Sequence, residues 1–501
     1  MRIAIRVDAS VSIGTGHVVR CATLAKALLK QDQGVELSFI CRELPGDLVN
    51  WLRTQGFVVH ALPTPNDVAE SWNSIPEQID ANQTADVLKK AGYELDWLIV
   101  DHYGLSATWE QALRISAGQI MVIDDLADRK HDADILLDQN FFQTIERRYQ
   151  GLLPAKCRQL LGPRYALLRD EFSALRKLEK SVCKGARKIV ISFGGSDASN
   201  ETTKALDALN LVGLEDIEVD VIVGASNLHR DQIASRCAAD VRMRFHCQTD
   251  QIANIFWNAD LSIGAGGTTT WERSALRLPS IVISIAENQE KISEDLAKTG
   301  AILYLGRSQD VTVETLSHII STALHCPELL YALSDHSGRI VDGKGAKRVA
   351  LHMLGEGISL RRATAADALA TYEWRNSPEV RRYSGNGQEI QRVDHERWFL
   401  ALLSDPNRAL LIGEIDGRAI GVLRFDDLMS TETTVSIYLV PTELSKGYGP
   451  LLLRAGQRWL TAEYPKLRWI IAKIHVDNTP SVAAFTEAGY SEYQYEYRCE
   501  L

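Results

Sequence analysis

Over about the first 350 residues, short apolar runs rich in Val and Ile alternate with stretches whose apolar residues recur at helical spacing. That alternation predicts parallel sheets wrapped by helices, the α/β class. Two sheets are expected. The first takes in RIAIRVD, VELSFI, FVVHAL, DWLIVD and QIMVIDD; the second starts at RKIVISFGGSD and continues through VDVIVGAS, VRMRFHC, DLSIGAGG and PSIVISI. A transition at residues 143–187 separates them. Ligands of such sheets sit beyond the carboxyl ends of the strands, so the loops after Asp8, Asp101, Ile191, Ile263 and Ser284 should converge on a cleft.

A second boundary falls at GEGIS, residues 355–359, after VDGKGAKRVALHML, whose spacing predicts a closing helix. Beyond it come a charged helical segment at residues 365–405, the strands RALLIGEID, RAIGVLRFD and TTVSIYLV, a helix after SKGYG, and a strand–helix–strand ending. This reads as an α+β module of its own. The expected division is residues 1–145, 146–355 and 356–501, with no repeat of fixed period and no low-complexity tract.

Composition narrows the chemistry. A chain of 501 residues, 45% hydrophobic and 24% charged, with a formal net charge of −10, is a globular protein poorly suited to a general nucleic-acid groove. Small ligands fit better. No apolar run is long enough to span a bilayer, and RIAIRVD carries charges where a signal peptide would not, so no membrane partner and a cytoplasmic location are expected. The eight cysteines include no CxxC pair and read as reduced core residues, and the histidines do not cluster at ligand spacing, so no metal is expected.

Three stretches carry candidate chemistry. In GAGGTTTWERSALRLPSIVIS, residues 264–284, glycines open a helix that carries Glu272 in its early turns. Backbone amides at a helix start favour phosphate oxygens, and a carboxylate further on accepts hydrogen bonds from ribose hydroxyls; glycines also make tight turns without any ligand. In ASVSIGTGHVVRCATLAKALLKQ, Gly14 and Gly16 turn the backbone and His17 begins a helix, where the positive end of the helix dipole favours a neutral imidazole able to take a proton from water. In PTELSKGYGPLLLRAGQRWL, Gly447 and Gly449 expose amides where a helix begins, a place for a pyrophosphate.

The stretches RVDAS…GTGHVVRCATLA, VDHYGLSATWE, IDDLADRKHDADILLDQN, LGPRYALLRDEF, SFGGSDASN, GAGGTTTWE, ENQE and DGKGAKRV resemble the UDP-2,4-diacetamido-2,4,6-trideoxy-β-L-altropyranose hydrolases of pseudaminic acid biosynthesis. The resemblance covers roughly the first 350 residues. It implies two facing Rossmann-like domains of the glycosyltransferase-B kind and metal-free, inverting hydrolysis of the bond between the anomeric carbon and the phosphate oxygen. It places the catalytic base or proton relay on His17. The glycine turns with Gly194, Gly195 and Ser196, and with Gly266, Gly267 and Thr268, would cradle the diphosphate, and Glu272 would hold the ribose. Asn288 and Gln289 would touch sugar or phosphate, and Asp101, His102 and Tyr103 would lie at the cleft mouth with Tyr103 lining the sugar pocket. Asp124 and Asp125 are either catalytic or structural, capping turns or pairing with Arg129.

The last module resembles the acetyl-CoA site of the GCN5-related N-acetyltransferases (GNAT): Leu439 ends the strand, and Lys446, Gly447, Tyr448 and Gly449 form the loop for the cofactor's diphosphate. KIHVDNTPSVAAFTEAGY resembles the later motif, placing Asn478, Ser481 and Phe485 beside the pantetheine arm. The opening segment is similar to acetyltransferases acting on the 4-amine of a UDP-linked sugar, which implies a sugar pocket at Trp374, Arg375, Asn376, His395 and Trp398; packing roles for the tryptophans stay equally open. Two positions depart from the pattern. Leu444 and Ser445 stand where a polar donor and a glycine are usual, and Phe485 stands where a tyrosine commonly protonates the thiolate, leaving Tyr490, Tyr448 or water for that task and His475 or Glu414 as amine bases.

The expectation is a bifunctional enzyme with UDP-linked amino sugars and acetyl-CoA as substrates. Its rivals are a sugar transferase using the same cleft, and a last module that only binds acyl-CoA or a partner.

Overall fold

A computed structural model describes residues 1–64, 72, 75–92, 94–178, 187–213, 216–354, 358–382, 388–415, 417–444, 447–475 and 477–492. The chain divides into two compact units, the first comprising Met1–Pro154 and Gln159–Val349, the second Ala155–Arg158 and Ala350–Leu501. Among the described residues no helix is long and apolar enough to cross a membrane.

The first unit holds two parallel sheets, as the alternating pattern predicts. One contains β1 (Arg2–Val7), β2 (Glu36–Arg42), β3 (Val58–Leu62), β4 (Leu95–Asp101), β5 (Ala117–Ile123), β6 (Ile135–Asp138) and β7 (Arg158–Leu161) in the order β3-β2-β1-β4-β5-β6-β7. The other contains β8 (Lys188–Ser192), β9 (Glu218–Val223), β10 (Met243–Cys247), β11 (Leu261–Ala265), β12 (Ser280–Ser284) and β13 (Leu303–Arg307) in the order β10-β9-β8-β11-β12-β13. Both follow the doubly wound order, which reverses once, beside β1 and β4 in the first sheet and beside β8 and β11 in the second. These are two Rossmann-like domains of the glycosyltransferase-B kind.

Their strands are apolar on both faces because helices cover both. Ile189, Ile191, Val221 and Ile263 pack in one cluster of the second sheet, while Val190 and Val282 join Trp271, Phe256 and Phe172 in another. The sequence reading missed β6, β7 and β13. Segments such as ILLD and RQLL are four residues long, too short to display a period. β7 lies inside the stretch read as a transition, and the helix Asp170–Arg176 there sends Phe172 into the second sheet's core.

The first sheet buries charge as well as apolar surface. Arg6 and Asp8 alternate onto one side of β1, where Arg6 bonds Asp8 at 2.5 Å and Asp80 at 2.6 Å; Asp80 also takes Arg42 at 2.7 Å and the Trp109 indole at 2.9 Å. Asp80 belongs to the helix Glu77–Lys90, so four mutually neutralising charges fasten that helix to β1 and β2.

The second unit is a mixed sheet, β14 (Ser359–Arg362), β15 (Arg408–Ile415), β16 (Arg418–Asp426), β17 (Glu432–Leu439) and β18 (Trp469–Ala472), antiparallel except for β17 with β18. The helix Tyr448–Glu463 packs Leu451 and Leu452 with Leu423 and Phe425. Phe399 and Leu402, from the helix Arg392–Leu403, instead gather with Leu410, Ile412 and Val422. The charged segment read as one helical stretch is broken into Ala368–Asn376, Pro378–Arg381 and Arg392–Leu403, because Pro378 restarts the chain as a new helix N-terminus. The final strand expected after the helix Thr479–Glu487 falls outside the described residues. Of the cysteines described, Cys21, Cys41, Cys157 and Cys237 are buried as expected, whereas Cys326 is half-buried and Cys247, closing an edge strand, is exposed.

Asp80→Asn should lower stability by about 3–5 kcal/mol, because it leaves buried guanidinium charge unmatched; an unchanged midpoint of urea unfolding would contradict this. Burial pushes the Asp8 and Asp80 carboxyls up, yet Arg6 outweighs it and holds both below the ordinary carboxylate range. The unfolded chain therefore binds protons first on acidification, and stability should drain away as pH falls below about 4.

Candidate active site

In the first sheet the candidates gather where the strand order reverses. Val7 pairs with Asp101 in register, so the loop after β1 and the end of β4 lie side by side. Gly14 turns at φ +81 and donates its amide to the Ser10 carbonyl at 2.9 Å, and the helix Gly16–Gln31 then begins with His17 in its first turn. His17 Nδ1 lies 2.6 Å from Asp101 Oδ1, and Arg20, one turn further along, donates Nε to Asp101 Oδ2 at 2.7 Å and an Nη2 proton to Oδ1 at 2.6 Å.

The tautomer follows from this geometry. Nδ1 also stands 3.0 Å from Arg20 Nη2, which only donates, but the ionised carboxylate, which only accepts, is the nearer partner; that contact puts the proton on Nδ1 and leaves Nε2 as the imidazole's acceptor. Burial pushes the Asp101 carboxyl up, but Arg20 and then His17 outweigh it and hold the group ionised, below its usual range. Arg20 reaches on to Asp125 at 3.2 Å, and the Tyr103 hydroxyl donates to the same carboxylate. The rings of Tyr103 and Trp72 stand edge-on to His17, each with its centroid 4.8 Å away, so the imidazole has apolar walls and 12% side-chain exposure.

Asp124 and Asp125 divide. Asp124 meets Arg129 at 3.0 Å and accepts the Tyr149 hydroxyl at 3.0 Å, a buried structural pairing, whereas Asp125 joins the Arg20–Tyr103 chain. The sequence reading passed over Arg20 and Trp72. Arg20 had a signal, since it lies three residues after His17 on one helical face.

The second sheet presents two glycine turns at the matching place, with Gly264 beside Ser192 in register. Gly194, Gly195 and Ser196 form an exposed turn after β8, while Asp197 accepts the amides of Glu201 and Thr202 at 2.9 and 3.0 Å and caps the next helix. Within β11 the strand lies so close to β8 that a Cβ on Gly264 would lie 2.3 Å from the Ser192 carbonyl oxygen. Gly266 and Gly267 follow, and Gln289 packs against both; its Oε1 accepts the Ile285 amide at 3.1 Å, which leaves its NH₂ beside the turn. Asn288 is exposed at the start of the same helix, Glu287–Ala297, and Thr268 is exposed at the N-cap of Thr269–Ala275.

Glu272 lies on that short helix. Burial lifts its carboxyl to about 7, against the pull of Arg169 and Arg273. Arg273, fully buried, donates to the Ala265 carbonyl at 2.6 Å and to Thr270 Oγ1 at 3.0 Å, which pins the glycine turn from beneath. The two halves touch here: Trp271 Nε1 donates to Asn140 Oδ1 at 3.4 Å, and the Gln143 amide to Asp295 at 3.3 Å.

In the second unit Gly447 adopts φ +73 at the N-cap of Tyr448–Glu463, a conformation that favours glycine, and Tyr448 and Gly449 are buried behind it. Lys446 and Ser445 lie outside the described residues; Leu439, half-buried, ends β17. Asn478 Oδ1 accepts the Ser481 amide at 3.2 Å, a helix cap, and Phe485 is buried against Tyr490 at 4.9 Å. Burial lifts the Tyr490 phenol to about 12. Trp374 packs on the Phe399 cluster, and Asn376 is bonded at both ends of its amide to the Ile390 backbone, at 2.9 Å each. His395 is buried 3.3 Å from Thr371 Oγ1, Glu414 holds Arg361 at 2.7 Å, and His475 is exposed near Asp477. Arg375 is half-buried.

Residues 189–350 match the glycosyltransferase family 28 C-terminal domain, and residues 358–491 match the acetyltransferase (GNAT) domain. The UDP-2,4-diacetamido-2,4,6-trideoxy-beta-L-altropyranose hydrolase of Campylobacter jejuni is 28% identical over 303 residues, 60% of this chain and 97% of that protein. The spore coat polysaccharide biosynthesis protein SpsG of Bacillus subtilis is 25% identical over 353 residues, 70% of this chain and 96% of that protein. Among solved structures, MurG of Acinetobacter baumannii covers 70% of this chain and 99% of its own with a TM-score of 0.50 at 14% identity, a likeness of fold. The chain is a homologue of the diacetamido-altropyranose hydrolase and SpsG proteins that carries, in its C-terminal region, a GNAT acetyltransferase domain.

Proposed function

We propose that the chain is a bifunctional sugar-nucleotide enzyme. Its GNAT domain, residues 356–501, acetylates the 4-amine of UDP-4-amino-4,6-dideoxy-N-acetyl-β-L-altrosamine with acetyl-CoA; the halves at residues 1–145 and 146–355 hydrolyse the product to UDP and the free diacetamido sugar. The observation that carries this reading is the placement of His17, aligned by Asp101 and Arg20, at one switch point and of two glycine turns with Glu272 at the other. The C. jejuni and B. subtilis homologues and the GNAT match support the substrate classes.

In this reading the diphosphate lies on the amides of Gly194–Ser196 and Gly266–Thr268 with Gln289 and Asn288, and Glu272 accepts from the ribose. The sugar lies toward Tyr103 and His17. His17 Nε2 takes a proton from water as the water oxygen bonds the anomeric carbon and the carbon–oxygen bond to phosphate breaks, its electron pair leaving with UDP. Attack opposite the leaving group inverts the centre, and no metal takes part. Asp101 balances the charge that forms on the imidazole. In the GNAT domain the amine nitrogen bonds the thioester carbonyl carbon and releases a proton to water as the carbon–sulfur bond breaks; Phe485 has no proton to give the leaving thiolate, and in this reading the hydroxyl of Tyr490, whose ring meets Phe485, supplies it.

A second reading is favoured by the glycosyltransferase family 28 match: a sugar hydroxyl replaces water, and the GNAT domain only binds. Mass spectrometry of the purified chain with the UDP-linked 4-amino sugar separates them. Free diacetamido sugar plus UDP, formed only with acetyl-CoA, is the expected result; accumulation of intact acetylated UDP-sugar would refute the hydrolase.

His17→Ala should cut UDP release about 10²–10⁴-fold while acetyl transfer, followed by thiol release, continues. Equal loss of both activities in a folded variant would refute the division between units. Glu272 supplies an accepting carboxylate only above about pH 7, so calorimetric UDP affinity should weaken between pH 8 and pH 6 more steeply in the wild type than in Glu272→Gln. Parallel slopes would remove Glu272 from the site, since the nucleotide's own titration is common to both proteins.

A further inference from the structure

The GNAT domain carries cationic surplus on one face of its sheet. Register places Leu410 beside Arg424 and Arg424 beside Ser436, with Ile412, Val422 and Tyr438 in the row next along. Alternation puts all of these on one face, the face opposite to Leu423 and Phe425, which the helix Tyr448–Glu463 covers. Where Leu410, Ile412 and Val422 are sealed by Phe399 and Leu402, the face is apolar; at Arg424 it turns cationic.

Arg424 is held with little freedom. Its Nε donates to Asp426 at 2.9 Å, its Nη2 to Ser436 Oγ at 3.3 Å, and the guanidinium lies 5.9 Å from the Trp398 ring centroid, with 31% of the side chain exposed. Asp426 is already taken by Arg408 at 2.6 Å. Among the described residues it is the only carboxylate bonded to either arginine. Arg375 adds a third cation from the helix Ala368–Asn376. Burial first, then the proximity of Arg424, disfavours its charge, against the attraction of the half-buried Tyr438 phenol. In a chain of net charge −10, the Arg408 and Arg424 guanidiniums thus share one carboxylate, with Arg375 near Arg424, beside an indole that remains 38% exposed.

We propose that Arg375 and Arg424, with Ser436 and the Trp398 ring, form an anion subsite that takes the diphosphate of the nucleotide-linked acceptor during acetyl transfer. This rests on reading the second unit as an amino-sugar acetyltransferase. Guanidiniums match phosphate oxygens in paired hydrogen bonds, and an exposed indole offers a face for the base. The spacing agrees: Ser436 lies three residues before Leu439, about 10 Å along the strand at its usual rise, which leaves a pyranose ring's length between the phosphates and the acetyl-CoA end of β17. Acetyl-CoA carries the same chemistry, so the test must tell the two nucleotides apart.

The experiment measures acetyl transfer by the full chain to the UDP-linked 4-amino sugar and to the same amino sugar without its nucleotide. Arg424→Gln should raise KM for the UDP-linked acceptor at least tenfold and lower, by a similar factor, the preference for it over the free sugar; Arg424→Lys, which keeps the charge, should restore most of that preference. A rise confined to the KM of acetyl-CoA would assign the subsite to the cofactor and overturn the proposal, as would equal losses on both acceptors. Should the wild type acetylate neither acceptor, the acetyltransferase reading fails by itself. Calorimetric UDP stoichiometry then decides the subsite alone: one UDP fewer per chain in the Arg375→Gln, Arg424→Gln double variant upholds it, and an unchanged number overturns it.

Discussion

A carboxylate shut away from water at the end of a central strand has to be neutralised by whatever packs over it, and Asp101 imposes this demand on the first half of the chain. Its neutralising partner is Arg20, which fixes the rotation of the helix that follows β1. Once that helix is set, His17 is held with Nδ1 on the carboxylate. Tyr103, two residues beyond Asp101, then meets Asp125 and closes the circuit at the end of β5. A buried ion pair of this kind contributes little net stability, but it selects one arrangement sharply, because every alternative leaves a bare charge in an apolar interior.

The two halves use the same strand order for opposite electrostatic ends. At the reversal of the first sheet the chain places carboxylates and an imidazole; at the reversal of the second it places bare backbone in glycine turns, pinned from below by the buried Arg273. An imidazole with its carboxylates and a pair of bare glycine turns are thus separated by topology, each at a strand end. The contact of Trp271 with Asn140 ties the helix carrying Glu272 to the strand ends of the first half.

Much of this was legible in the sequence where the signal was local. Parallel strands buried on both faces give unbroken apolar runs, and the glycine turns and His17 stand in short motifs, so their positions follow from neighbours within a few residues. What stayed hidden was non-local. Arg20 and Asp101 are 81 positions apart, and nothing in either neighbourhood announces the pairing. Four-residue strands such as β6 and β7 owe their state to the sheet beside them. The face holding Arg424 exists only through cross-strand register, which a linear pattern does not display. The backbone bonds by which Asn376 holds a loop and Asn478 caps a helix are likewise seen only in the fold, beside the ligand contacts expected of both residues.

The cluster of Arg6, Asp8, Asp80 and Arg42 has a bearing on how such sequences drift apart. Two positive and two negative groups cancel only as a complete set, and three separate segments supply them. Single replacements cross a deep fitness valley, whereas paired replacements by apolar residues of matching volume cross a shallow one. Divergence at these four positions is therefore expected in correlated steps, with homologues retaining the whole quartet or exchanging its members in oppositely charged pairs.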